Sequence, residues 1–246
     1  HWMVHSFPTR RSSDLRYRHY VHHRDRSVAK HIGCWLRGAF RKYYYRLAQA
    51  RILPELTGRW SQKYFLFPLQ VHNDYQFKHA DYATIEDCIA EVVASFAAHA
   101  PADTLLVIKH HPADRPYRDY SALLRQLAIR HHIQDRVLYV HDLHLPTLLR
   151  HARGSVLMNS TVGIASLQYG TPVKVLGRAI YVVRELTSDV SLDDFWKNPG
   201  KVDMDLFMHF RGWLEANNQL NGSFYRRIRE MKNHAGVNWS ALKDLA

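Results

Sequence analysis

Four short polar clusters in this chain of 246 residues carry side chains that can do chemistry. In "PLQVHNDYQ" a carboxylate, Asp74, stands between Gln70 and Gln76, two amides able to orient it. Such a group can act as a general base or a nucleophile, and it can equally be a loop or helix-capping carboxylate. "KHHPADRP" gathers Lys109, His110, His111 and Arg115 around Pro112. Adjacent strand residues point to opposite faces, so one histidine of the pair is expected to face a site and the other to pack. Pro112 restricts His111 to extended backbone and fixes its ring direction, which suits a donor to a phosphate or a base carbonyl. "HDLHLP" offers Asp142 and His144, whose surroundings could read a base edge. "NSTVG" sets Asn159, Ser160 and Thr161 before Gly163. If a helix starts at Ser160 or Thr161, the two hydroxyls and the free N–H groups of its first turn can receive phosphate oxygens, with Gly163 allowing close backbone approach. The same residues would serve as an ordinary N-cap.

These clusters need elements to position them, and the apolar pattern supplies those elements. "KYFLFPLQV", "TLLVIKHH", "RVLYVH", Ser155 to Met158 and Pro172 to Leu176 read as short buried strands. "TIEDCIAEVVASFAAHA" places Ile85, Cys88, Ile89, Val92, Val93 and Phe96 on one helical face, with Thr84 and Asp87 as a capping pair. "YSALLRQLAIRHH" and "LPTLLRHA" read as helices, as does the stretch carrying Ile164, Leu167 and Gln168, which Gly170 closes. Strands alternating with helices imply an α/β fold, a Rossmann-like parallel sheet covered by helices on both faces. Ligands bind such sheets beyond the carboxyl ends of the strands. Each polar cluster follows a strand's carboxyl end, so all four are expected on one rim.

Residues 16–50 read as helical and 51–60 as a linker broken by Pro54 and Gly58. Residues 63–200 are expected to form one Rossmann-like domain, and 201–246 C-terminal helices around Asp205–Asn217 and Ser223–His234. A further helical turn lies at Asp194–Trp196, where Asp193 and Asp194 of "SLDDFW" flank apolar residues and are not expected to hold a metal. "HSFPTRRSSDL" (5–15) matches the translation of a sequencing-library adapter, so residues 1–15 are set aside as foreign to the fold. The natural protein is then expected to extend upstream, with residues 16–62 the remnant of a truncated N-terminal domain and its linker.

Hydrophobic content of 46% and charged content of 23% fit a globular domain. No apolar run reaches the ~18 residues that a bilayer span needs. Cys34 and Cys88 lack metal or disulfide spacing, which suggests reduced thiols in a cytoplasmic protein. The net charge of +12 is concentrated in "RYRHYVHHRDRSVAK" and "WLRGAFRKYYYRLAQAR", where cations interleave with aromatics. That pattern fits a solvated helix face or attraction to an anionic membrane or polymer. No helix-turn-helix, finger or RNA-recognition signature accompanies it, so nucleic acid is not an expected partner. No Walker loop and no G-x-G-x-x-G occurs, which argues against a triphosphate or dinucleotide ligand.

With these clusters in hand, the chain resembles the KpsS/LipB-type capsule polysaccharide proteins, β-Kdo glycosyltransferases that use CMP-Kdo. The matching pieces are "FPLQVHNDYQ", "IKHHPADRPYRDY", "VLYVHDLHLPTLLRHA", "MNSTVGIASLQYGTPVKVLG", "LDDFW" and "NGSFY", in order over roughly residues 63–225. The His-Pro pair is also similar to one in bacterial sialyltransferases. The resemblance implies the C-terminal, donor-binding half of a GT-B glycosyltransferase, with Asp74 as the nucleophile that briefly carries the sugar. It implies that Lys109, His111, Pro112, Asn159, Ser160, Thr161 and Gly163 hold the CMP phosphate. Arg115 or Lys109 would pair with the Kdo carboxylate, and Asp142, Gln70 and Gln76 are the remaining sugar or base contacts. No cofactor and no metal are implied beyond the CMP-sugar donor. The implied acceptor is a lysophosphatidylglycerol or Kdo-linker lipid at the inner face of the cytoplasmic membrane, where capsule synthesis and export components would be partners. Two other readings stay open: a non-catalytic assembly or export protein that holds anionic polymer or lipid, and a GT-B enzyme using a UDP-sugar.

Overall fold

The computed structural model describes residues 28–74 and 80–217. Gln76, "NGSFY" and the helical stretch expected at Ser223–His234 lie outside the described residues. Contacts divide the chain into two units, His1–Lys201 and Val202–Ala246. Among the described residues the first unit opens with helix α1 (Val28–Ala48) and a short α2 (Ile52–Thr57). The expected linker at 51–60 is therefore mostly helix. Pro54 sits in the first turn of α2, where backbone N–H groups have no intrahelical acceptor anyway, so it breaks nothing.

Five strands follow, β1 (Tyr64–Pro68), β2 (Leu105–Lys109), β3 (Val137–Val140), β4 (Gly154–Leu157) and β5 (Val173–Val175). They are interleaved with α3 (Ile85–His99), α4 (Ser121–Arg130), α5 (Leu145–His151) and α6 (Val162–Gln168). All neighbouring strands pair in parallel, in the order β3-β2-β1-β4-β5. The expected Rossmann-like sheet is present. Central strand β1 is buried along its whole length, as an apolar run with both faces covered must be.

Alternation along β1 sorts the core into two layers. Phe65 and Phe67 pack with Ile89, Val92 and Phe96 of α3 and with Leu124 of α4. Tyr64 and Leu66 face the other way, against Leu56 of α2 and Leu148 and Leu149 of α5. α3 begins where the sequence places it, Thr84 and Asp87 forming a reciprocal capping box. α6 ends at Gly170, whose φ of 70° carries it into the left-handed region. There Gly170 N–H donates to Leu167 O and Thr171 N–H to Ser166 O, the paired bonds of a Schellman motif.

The short helix α7 (Leu192–Phe195) closes the first layer. Trp196, fully buried, meets Phe65 and Phe96 edge-on at 4.9 and 5.3 Å, and its Nε1 donates to Ser95 Oγ at 2.7 Å. Ser95 in turn donates to Asp193 at 2.6 Å, and Ser191 caps Asp194 N–H. Both aspartates of "SLDDFW" are thus engaged in holding this turn. The second unit contributes α8 (Met204–Asn217).

Trp196→Ala removes a buried aromatic and orphans a hydroxyl partner. Urea unfolding is expected to show a loss of about 3–5 kcal/mol, and a loss below about 1 kcal/mol would mean that this turn does not brace the sheet.

Candidate functional site

Because the sheet is parallel, all its strands point their carboxyl ends at one rim. β1 leads to β2 on one side, while β4 lies on its other side, so the chains leaving β1 and β4 diverge and open a crevice. Gln70 follows β1 and Asn159 follows β4, and both are buried. Gln70 Nε2 donates to Asn159 Oδ1 at 2.9 Å, and Asn159 N–H returns a longer bond to Gln70 Oε1 at 3.4 Å. The same Gln70 amide reaches Asp74 Oδ2 at 3.4 Å. Asp74 is therefore tied through one glutamine to the start of the α6 loop.

Beside it, "KHHP" leaves β2 as the alternation requires. His110 is buried, and its Nδ1 lies 2.6 Å from Tyr139 Oη. His111 is half-buried, with extended backbone at φ −77° and ψ 127° ahead of the 3-10 turn Pro112–Asp114. Its Nδ1 accepts Ala113 N–H at 3.1 Å, which leaves the ring proton on Nε2. Burial holds His111 below the usual histidine range, with Lys109 adding to the effect and Asp114 and Asp74 opposing it. At neutral pH His111 is a neutral ring with one N–H to donate, and Asp74 is near enough to influence its charge.

Two groups here carry no signal in the sequence reading. Asp114 is fully buried, accepts His72 N–H at 2.7 Å and also bonds His72 Nδ1. It fastens the loop that carries Asp74 to the turn that carries His111. A carboxylate two residues beyond a proline suggests a turn cap, and only the fold brings His72 to it. Tyr181 is the other. Its phenol donates to Ser160 O, and its ring fills the space beside Gly163, where a Cβ would sit 2.3 Å from ring carbons. Gly163 therefore makes room for Tyr181, not for a ligand.

The start of α6 differs from expectation in a second way. The helix begins at Val162, and its first N–H groups are already used. Val162 donates to Ser160 Oγ at 3.3 Å, Gly163 to Ser160 O and Ile164 to Thr161 O. What the junction offers a ligand is the Thr161 hydroxyl, which is exposed, and the half-buried Ser160 hydroxyl. Further along the rim, Arg115 and Asp142 bond each other. Arg115 Nε and Asp142 Oδ2 are buried without another partner among the described residues. Each was expected to meet the sugar or base; instead their opposite charges are paired with one another. Lys109, also buried, donates to His141 O at 3.1 Å. Burial, opposed by Asp142 and helped by Arg115, draws its pKa down to about 8.

His141 closes the β3 side. It stacks on Tyr45 at 3.4 Å, and its backbone N–H donates to Gln49 Oε1 at 2.9 Å. A cavity of about 280 Å³ lies here, lined in part by Tyr45, Gln49, Arg125, Tyr139 and His141. It is at the sheet edge, apart from the Asp74–Asn159 crevice. Within the rim, then, Asp74, Gln70 and Asn159 are hydrogen-bonded together, with His111 beside Asp74 and Ser160 next in the chain to Asn159. Lys109, Arg115 and Asp142 form a second group, Arg115 and Asp142 paired with each other and Lys109 bonded to His141 O.

A doubly wound parallel sheet with polar side chains converging at its switch point defines a ligand-binding α/β domain of the Rossmann-like class. The family model described as capsule polysaccharide biosynthesis protein matches residues 9–225, overlapping the end of the stretch set aside as adapter-like. This chain belongs to that family. It is 43% identical over 214 residues to the capsule polysaccharide export protein KpsS of Escherichia coli, covering 85% of this chain and 55% of that one. It is 37% identical over 215 residues to the capsule polysaccharide modification protein LipB of Neisseria meningitidis serogroup A, covering 87% and 51%. The chain thus spans about half the length of these curated relatives. Among solved structures, Thermosulfurimonas dismutans KpsC, described as a beta Kdo 2,7 transferase, is similar at 17% identity and a TM-score of 0.40, over 73% of this chain and 67% of that one. The glycosyltransferase WaaG is similar at 16% identity and a TM-score of 0.37, over 69% and 46%.

Asp114→Ala leaves the His72 N–H and ring without their acceptor. A stability loss of about 1–3 kcal/mol is expected in urea unfolding, with Asp114→Asn recovering part of it through its amide oxygen. Equal losses in the two variants would show that His72 is not what the carboxylate holds.

Burial also draws His110 down to about 3 and His141 to about 4. Both stay neutral in the folded chain, whereas an unfolded histidine takes a proton near pH 6.5. Stability is therefore full above pH 6.5 and falls as pH drops toward 4 and 3, by about 1.4 kcal/mol per pH unit for each ring. His141→Asn should remove one ring's share of that slope in urea titrations between pH 6.5 and 4, and an unchanged slope would contradict the assignment.

Proposed function

We propose that this chain is the donor-binding half of a GT-B glycosyltransferase that transfers β-linked Kdo from CMP-Kdo with retention. The observation that carries the proposal is the hydrogen-bonded set Asp74–Gln70–Asn159 at the switch point, with His111 and Ser160 adjoining it. Family membership and the order of the rim motifs support the same reading. The acceptor is a lysophosphatidylglycerol or Kdo-linker lipid, met at the inner face of the cytoplasmic membrane in company with capsule synthesis and export components. The reaction draws on no cofactor beyond its donor.

The chemistry follows from the groups present. The Asp74 carboxylate attacks the anomeric carbon of Kdo while the bond to the phosphate oxygen breaks, its electron pair leaving with CMP. The Nε2–H of His111 and the Ser160 and Thr161 hydroxyls donate to the departing phosphate, and the Lys109 cation lies behind them. An acceptor hydroxyl then attacks the same carbon from the vacated face and passes its proton to the phosphate, and Asp74 is released as carboxylate. Two inversions give net retention. Gln70 holds the Asp74 carboxylate in place throughout.

Isothermal titration of this chain with CMP tests the donor site without requiring turnover. CMP is expected to bind, and Ser160→Ala with Thr161→Ala to weaken binding by roughly tenfold or more. Ser160 also caps Val162, so the unfolding midpoint of the double variant is measured alongside. Tighter binding of UDP than of CMP would replace the donor assignment. Absence of CMP binding, together with retention of anionic polysaccharide, would favour the assembly or export role that the Escherichia coli relative's name describes.

A further inference from the structure

Helix α1 is amphipathic in the reverse of the usual sense. Arg41, Gly38, Tyr45 and the following Gln49 face the domain, and most of its large apolar residues face outward. Toward the domain, Arg41 donates to Arg115 O, Arg118 O and Asp119, at 2.9, 3.1 and 3.2 Å. Gly38 lies against Pro116, where a Cβ would come within 2.9 Å of the ring. Tyr45 stacks on His141, and Gln49, just past the helix, bonds both Tyr139 O and His141 N–H. These contacts recur every three or four residues, so they fix the helix's rotation.

The opposite face carries Ile32, Leu36, Phe40, Tyr43 and Leu47 at the same spacing, each between 46% and 79% exposed. The helical repeat places Lys42 and Arg46 along one edge of this stripe and Arg37 along the other. Trp35 and Tyr44, each 55% exposed, stand at the margins. No acidic residue occurs anywhere in the 21 residues of α1.

We infer that the outward face of α1 is a docking surface for an anionic lipid bilayer. The helix would lie in the interfacial plane, with the stripe in the acyl boundary and Arg37, Lys42 and Arg46 among the headgroup phosphates. An apolar stripe edged by cations and aromatics, with no acid, is the composition of an interfacial helix. Charge decides between this occupant and a second copy of the chain. Two α1 helices meeting stripe to stripe would bring their cationic edges together with no carboxylate between them, whereas acidic headgroups neutralise both edges. The inference deepens the membrane-face location proposed above and draws its purpose from that reading, but its geometry stands on α1 alone.

Co-sedimentation with phosphatidylcholine vesicles, with and without phosphatidylglycerol, tests it. The chain is expected to partition onto the phosphatidylglycerol vesicles. Leu36→Asp with Phe40→Asp should lower that partition coefficient by roughly a hundredfold. Arg37→Gln, Lys42→Gln and Arg46→Gln together should lower it by a similar factor on anionic vesicles and leave phosphatidylcholine binding unchanged. Unchanged unfolding midpoints show that the variants fold. Failure of the parent chain to bind phosphatidylglycerol vesicles overturns the inference, as does binding that neither set of substitutions weakens. A self-associated chain that Leu36→Asp with Phe40→Asp converts to monomer, without vesicle binding, assigns the face to a second copy and likewise overturns it. CMP titration of the same proteins separates the two proposals: loss of CMP binding in the parent with vesicle binding intact sinks the donor assignment and leaves the lipid surface standing.

Discussion

The divergence of β1 and β4 is the constraint on which the rest of the molecule depends. A parallel sheet in the order β3-β2-β1-β4-β5 must part its connections on the two sides of β1. Two strand ends that neighbour each other in the sheet then lead to loops that separate. Buried amides at that point would be costly if left unpaired. Gln70 and Asn159 resolve the problem by bonding each other across the gap. The pairing that satisfies the backbone's geometry also presents Asp74, because the same glutamine amide reaches its carboxylate. The crevice and the candidate nucleophile thus have one structural origin.

Around that crevice several charged groups are engaged with partners inside the domain. Arg115 and Asp142 pair, Asp114 is spent on His72, and Lys109 points a weakened cation at a carbonyl. His110 and His141 are kept neutral by burial. Among the described residues the rim also carries the His111 imidazole, the Ser160 and Thr161 hydroxyls and the Asp74 carboxylate that Gln70 bonds.

α1 completes the domain without adding to its core. It is held by hydrogen bonds and one ring stack along its polar side, so its position depends on directional contacts with residues 115–119 and 139–141. Those are the segments that carry Arg115 and His141. The outward apolar face and the rim are therefore two faces of one local arrangement on the β3 side of the sheet. No helix among the described residues is long and apolar enough to cross a membrane.

Local pattern was sufficient for much of this. Alternation and helical spacing located all five strands and the helices α3 to α6, the Thr84–Asp87 box and the Gly170 cap, because each depends on residues a few positions apart. The same logic put four polar clusters on one rim and separated packed His110 from half-buried His111. Pattern failed where an outcome depended on a partner distant in the chain. Pro54 and Gly58 read as breakers, yet one fits a first turn. Gly163 read as space for a phosphate, yet Tyr181, eighteen positions on, occupies that space. Arg115 and Asp142 read as two ligands, yet they bond each other. Sequence periodicity determines which way a side chain points relative to its own strand or helix. Which group it meets there is decided only when the sheet closes, since hydrogen bonds, ion pairs and excluded volume all require contact at a few ångströms between segments the sequence keeps apart.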